Sequence, residues 1–125
     1  MIYAKPKKID DLEICHFYHT IDIPKFGTVN GYWDLRAGVD EYIGHVKFEN
    51  KRVLEFGPAN GFLTFYMEKK GAEVVACDLS SNHNWDIIPF AQYDYKKVIE
   101  SKRVNIENLN NAFWFCHERH KSKAR

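Results

Sequence analysis

Residues 53–80, "VLEFGPANGFLTFYMEKKGAEVVACDLS", hold two short apolar runs separated by a small-residue turn and a helix-like segment. No other feature of the chain limits the fold as tightly. "KRVLEF" reads as a strand that runs straight into a loop. "FLTFYMEKKG" reads as a helix stopped by Gly71, which can take the left-handed conformation of a C-terminal cap. "AEVVACDL" reads as a second strand, and its unbroken apolar run predicts burial on both faces with Cys77 in the core. Strand, helix, strand is the unit of a parallel sheet, because parallel neighbours need a long crossover between them.

The flanking sequence adds helices to this unit. Asp34 is a candidate N-cap for a helix through about Val46, with Leu35, Val39, Tyr42, Ile43 and Val46 at helical spacing. From Ile106 onward, Leu109, Phe113, Cys116 and more loosely His120 mark one face of a further helix, with Trp114 and Phe115 flanking the stripe. Residues 1–33 are rich in aromatics, Pro and Gly without a clean period. They predict an irregular lead-in or lid segment with turns at Lys25 to Gly27 and at Asn30-Gly31. No internal repeat is present. The expected class is α/β, with the sheet domain over residues 34–125.

A chain of 125 residues supports one domain with a modest core. It contains no apolar run near the ~18 residues of a membrane span, and its charged start lacks a secretory apolar region. Three cysteines, an odd number, favour a reducing cytoplasm over a disulfide framework. Net charge is +1 but uneven: residues 1–95 carry 10 Lys/Arg against 14 Asp/Glu, and residues 96–125 carry 8 against 3. Such a basic tail can touch phosphates; its more ordinary role is a solvated helix face.

The turn Gly57-Pro58-Ala59-Asn60-Gly61 lies between a strand and a helix N-terminus, where small residues let a ligand approach the backbone and free N–H groups point outward. Glu55 closes the first strand at the carboxyl edge, where open α/β sheets bind ligands. Asp78 closes the second, 17 residues after Gly61. An acceptor-only carboxylate there can take hydrogen bonds from both hydroxyls of a ribose, at about 1.5–3 kcal/mol each. The nicotinamide fingerprint fails, since Ala59 and Phe62 stand where it needs glycine, and no Gly-Lys-Ser/Thr follows for a phosphate loop.

What remains, Glu-x-Gly-x-x-x-Gly and an acid at the next strand end, resembles class I S-adenosylmethionine-dependent methyltransferases. The resemblance implies that Glu55, Gly57, Ala59 and Gly61 pack against the methionine part of the cofactor and that Asp78 binds its ribose. Pro58 and Asn60 in the same loop and Leu79 beside the acid complete the cofactor-binding set, with His83 and Asn84 just beyond. "FYHTIDIPKFGTVNGYWDLR", "WDIIP" and "NNAFWFCHERHKSKAR" are further similar to the group that includes the tRNA wobble-uridine (mo5U34) methyltransferase-like proteins. Tyr18, His19, Thr20 and Ile21 match its His-Thr-Ile segment, and Trp85 and Asp86 its Trp-Asp. Val29-Asn30 replaces the usual Thr-Pro before Gly31-Tyr32-Trp33-Asp34.

The implied fold is the N-terminal part of a Rossmann-like methyltransferase sheet, lacking its later strands. A seven-stranded domain needs roughly 200 residues or more, at ~30 per strand-plus-crossover unit. A fragment is therefore expected, with a bare sheet edge, exposed apolar surface and the missing C-terminal half as partner. Cofactor binding by the chain alone should be weak and turnover absent. The implied reaction is methyl transfer from S-adenosylmethionine to an acceptor left open, a hydroxyl of a modified tRNA uridine or a small molecule. Alignment supplies much of the catalysis, and a hydroxyl acceptor needs a base. His19 is the catalytic candidate, with Tyr18 and Arg36 as acceptor contacts; the more ordinary reading of His19 is a packed histidine. Phe62, Phe65 and Tyr66 fit helix packing better than cofactor stacking.

One alternative belongs to a different class. "CHFYH" (Cys15, His16, His19) and "CHERH" (Cys116, His117, His120) could hold zinc in a small nucleic-acid-binding module. Against it, neither cluster contains Cys-x-x-Cys, and Cys116 falls on the apolar stripe.

Overall fold

The computed structural model describes residues 3–88 and 92–125. Its elements are β1 (Ile21–Ile23), β2 (Gly27–Val29), α1 (Val39–Tyr42), β3 (Arg52–Phe56), α2 (Phe62–Lys69), β4 (Glu73–Cys77) and α3 (Tyr95–His120). This is a mixed α/β fold with a small parallel sheet and three helices. The strand–helix–strand unit is the one read from residues 53–80. β3 and β4 pair in parallel, with Leu54 opposite Val75, Glu55 opposite Ala76 and Phe56 opposite Cys77. α2 ends as its glycine requires: Gly71 has φ +95, its N–H reaches Glu68 O at 2.9 Å, and Ala72 N–H reaches Met67 O at 3.1 Å.

The lead-in is more ordered than expected. β1 and β2 form an antiparallel hairpin around the Lys25–Gly27 turn, closed by Phe26 N–H on Ile23 O. Asn30-Gly31 is not a turn. The chain there runs beside residues 18–20: Trp33 N–H donates to Tyr18 O, Thr20 N–H donates to Trp33 O, and His19 bridges Trp33 in parallel.

The helix expected from Asp34 to about Val46 shrinks to the four residues of α1, preceded by Gly38. Asp34 does not cap it. Its carboxylate is taken by Arg36, through the backbone N–H at 3.1 Å, Nε at 2.9 Å and a terminal guanidinium nitrogen at 2.7 Å. α3, in contrast, starts well before Ile106. Asp94 caps it by accepting from Lys97 N–H at 3.2 Å. Phe115, expected to flank its apolar stripe, is fully buried and packs edge-on against Phe17 at 6.4 Å.

The main core lies between the hairpin, α2 and α3, where Phe17, Ile21, Ile23, Phe62, Phe65, Phe113 and Phe115 meet. Each such side chain removed from water contributes about 1.5–3 kcal/mol. A second cluster of Phe48, Met67, Ala72, Val74 and Ala124 closes the start of β4. Arg125 extends that end: its N–H donates to Val74 O at 3.1 Å and its carbonyl accepts from Ala76 N–H at 2.6 Å. These bonds follow a parallel ladder, on the β4 edge away from β3.

β4 is not buried on both faces. Val53, Glu55, Val74 and Ala76 share the face toward α2, while Leu54 (59% exposed), Phe56 (76%) and Cys77 lie on the other, which no element among the described residues covers. Cys77 is therefore a surface residue rather than a core one. Among the described residues no helix is long and apolar enough to cross a membrane.

Candidate functional site

The strand register sets the site. Asp78 follows Cys77, the partner of Phe56, so the carboxylates of Glu55 and Asp78 stand at the same end of adjacent strands. The bend between β3 and α2 starts where Gly57 N–H donates to Cys77 O at 2.9 Å, tying the loop to the end of β4. Gly57, Ala59 and Gly61 all have positive φ, at +71, +51 and +83. Left-handed geometry at every second residue folds the chain back into a tight turn, and at Ala59 this costs roughly 1–2 kcal/mol.

The two glycines serve different ends. A Cβ at Gly57 would meet nothing within 4 Å, so its Cα faces open space in which a ligand can lie. A Cβ at Gly61 would come 2.4 Å from the Phe65 ring and 3.1 Å from Phe113. Gly61 thus lets α2 pack on α3 and starts α2 as its N-cap. Pro58 is buried beneath the bend.

Glu55 points toward α2, where Thr64 Oγ1 donates to its Oε2 at 2.5 Å. Burial pushes the Glu55 carboxyl above its ordinary value, the Thr64 hydrogen bond pulls it down, and the negative charge of Asp78 adds to the upward push. Asp78 stands just past the end of the neighbouring strand, one residue beyond the partner of Phe56. Asp78 itself is exposed and accepts from Leu79 N–H at 2.7 Å; Leu79 O in turn accepts from Asn110 Nδ2 at 3.0 Å, anchoring the strand end on α3. Beyond it, His83 meets Trp85 edge-on at 5.1 Å, and Lys102 lies over the Trp85 ring.

The lead-in reaches the bend through Asn60, which is fully buried. Its Oδ1 accepts from His19 N–H at 2.8 Å and its Nδ2 donates to His19 O at 3.0 Å. His19 therefore sits on the bend, its ring 5.6 Å from Phe62 and 4.9 Å from Tyr18. Its Nδ1 is buried with no hydrogen-bond partner, and burial lowers its pKa, so the ring is neutral near pH 7. Tyr18 is 42% exposed beside it. Arg36 is held elsewhere, between Asp34 and Asp22, at 2.7 and 2.8 Å. These acids raise its pKa further, and the hydrogen bonds from Arg36 hold the Asp34 carboxyl down at about 2. The structure thus brings Glu55, the Gly57–Gly61 bend, Asp78 and His19 together and keeps Arg36 in an ion-pair triad.

One residue of this arrangement, Thr64, is fully buried and legible in the sequence only as a lone hydroxyl within the apolar "FLTFYM". Asn60, expected in the cofactor-binding set, has its side-chain amide bonded to the His19 backbone.

The cysteine–histidine clusters meet only at Cys15 and Cys116, which pack in the same core cluster. Among the described residues no group of three or more His, Cys, Asp or Glu is arranged to hold a metal ion. Cys116 is buried, its thiol pushed up to about 12, and Cys15 is pushed up to about 11, in each case mainly by burial. His117 Nε2 pairs with Ala124 O at 3.0 Å, and His120 stacks on Phe65.

No family model, curated protein or solved structure matches this chain.

Proposed function

We propose that residues 53–80 are the donor-binding core of an S-adenosylmethionine-dependent methyltransferase. The observation that carries this reading is a pair of carboxylates, Glu55 and Asp78, at the same end of adjacent parallel strands, with a left-handed bend after the first whose Gly57 opens onto free space. The residues fit such a group. Asp78 is exposed, carries no cation partner among the described residues and can accept from ribose hydroxyls, while Gly57 and Ala59 offer backbone to the amino-acid moiety. Thr64 holds Glu55 in place at the back of the bend. When bound, the cofactor supplies a methyl group on a positively charged sulfur.

The chain's own residues then orient and exclude. Asn60 fixes the lead-in across the bend, which puts His19 and its exposed neighbour Tyr18 beside the loop. A neutral His19 can take a proton from a hydroxyl acceptor, whether on a modified tRNA uridine or a small molecule. Free Cys15, Cys77 and Cys116 suit a reducing, cytoplasmic setting. Leu54 and Phe56 on the bare sheet face await a further layer, since parallel sheets are covered on both sides. The C-terminal half of a Rossmann-like methyltransferase domain fits there as partner, and without it cofactor binding is weak and turnover absent.

Thermal unfolding followed with S-adenosylhomocysteine, and separately with zinc, tests this. A bound ligand raises stability as its concentration exceeds Kd. Protection is expected from S-adenosylhomocysteine alone, mostly lost in Asp78→Ala. Equal protection of Asp78→Ala, or protection by zinc alone that a chelator removes, overturns the reading.

A further inference from the structure

We propose that the cavity between α2 and the end of α3 binds a small aromatic anion, at a site separate from the glycine bend. The cavity measures about 920 Å³, within the range of small-molecule sites, and neither Glu55 nor Asp78 lines it. Its wall is aromatic. Phe62, Phe65 and Tyr66 stand at i, i+3 and i+4 on α2, and His120 stacks on Phe65 with ring centroids 4.7 Å apart and planes 13° from parallel. Burial lowers the His120 pKa, so this ring extends the apolar wall rather than adding charge. A planar ring fits against such a surface by offset stacking.

The rim carries four cations, Arg36, Lys69, Lys121 and Lys123, against three carboxylates, a net charge of +1. Each of the three acids already has a partner. Asp22 pairs with Arg36 at 2.8 Å, and Glu73 with Arg125 at 3.6 Å. Glu68 accepts from Ser122 Oγ at 2.6 Å and from Lys123 N–H at 2.5 Å, which fixes the segment after α3 at the cavity mouth. Lys69, Lys121 and Lys123 also line the cavity, and among the described residues none forms an ion pair. Three unpaired ammonium groups around an aromatic wall call for an anionic head on a ring, a carboxylate or a phosphate. This site does not depend on the methyltransferase reading.

Titration calorimetry with 2-naphthoate, 2-naphthyl phosphate and the uncharged 2-naphthamide tests it. At least one anion should bind about tenfold tighter than the amide. Which anion does so identifies the head group. The exposed double substitution Lys121→Gln/Lys123→Gln should weaken that anion by a similar factor, and Phe56→Ser, on the bare sheet face, should leave it unchanged. Equal binding of amide and anions overturns the proposal, as does indifference to the lysine changes, loss of binding in Phe56→Ser, or no binding at millimolar ligand.

Discussion

Asn60 grips the backbone of His19 from both sides: its amide oxygen takes the His19 N–H at 2.8 Å and its amide nitrogen gives to the His19 carbonyl at 3.0 Å. A side chain thereby does the work of a strand neighbour and binds the lead-in to the bend 41 residues later. Asn60 is fully buried and His19 half-buried, so removing the amide leaves a backbone donor and acceptor poorly placed to recover water. Asn60→Ala should therefore cost about 2–4 kcal/mol, more than the ~1 kcal/mol of an ordinary hydrogen bond. Urea unfolding measures it. A loss under ~0.5 kcal/mol would mean that the lead-in is not fastened there.

On the far side of His19 the contact is steric. A Cβ at Gly31 would lie 2.4 Å from the His19 carbonyl carbon, a distance that backbone atoms cannot yield to. Gly38 offers the contrast, with open space around its would-be Cβ and an ordinary φ of −133. Gly31→Ala should destabilise by about 2–3 kcal/mol, and Gly38→Ala, an N-cap position with room for a Cβ, should change stability by less than about 1 kcal/mol. Similar midpoints for the two variants would refute the close approach.

Phe115 and Phe56 separate core from bare surface. Phe115 is fully buried against Phe17 and Phe26, whereas Phe56 is 76% exposed. Phe115→Ala should cost about 3–5 kcal/mol. Phe56→Ala should stay within ~0.5 kcal/mol, as surface changes usually do. Comparable losses at both sites would show that something covers Leu54 and Phe56 in solution.

β3, α2 and β4 were legible because their signals are local: period, glycine stop and strand length all lie within residues 52–77. What escaped depended on partners distant in sequence or on competition for one group. Asp34 has the chemistry of an N-cap, yet a guanidinium two residues on outbids the backbone for it. The first turns of α3, "YKKVIESKRVN", carry only a sparse, half-buried apolar stripe of Tyr95, Val98 and Ile99, so the Asp94 cap is the clearer mark of their start. The apolar run of β4 predicts burial but not how many faces have a cover, and Val75 and Cys77 point to the side without one. At the site, Glu55 and Asp78 were visible as strand ends; Thr64 behind Glu55 and the union of Asn60 with His19 required the folded chain.

Glu55 should leave a signature in the pH dependence of stability. Its pKa in the folded state lies above the ordinary 4.5, chiefly through burial, with Asp78 adding to the shift. Between those two values the folded chain keeps a proton that the unfolded chain has released. Stability from this group is thus fully present below pH ~4.5 and falls as pH rises through the folded pKa. Glu55→Gln keeps an acceptor for Thr64 and removes the charge, so the variant should lose this downward slope while keeping those of other groups. His19 and His120, lowered by burial, act in the opposite sense as pH falls below their ordinary 6.5, which is why the difference between the two proteins is the quantity to measure. Asp78→Asn should bring the Glu55 pKa part of the way down, read by the carboxyl ¹³C shift across a titration. An unchanged Glu55 titration in Asp78→Asn would show that the two acids do not sense each other and would refute a shared site at the strand ends.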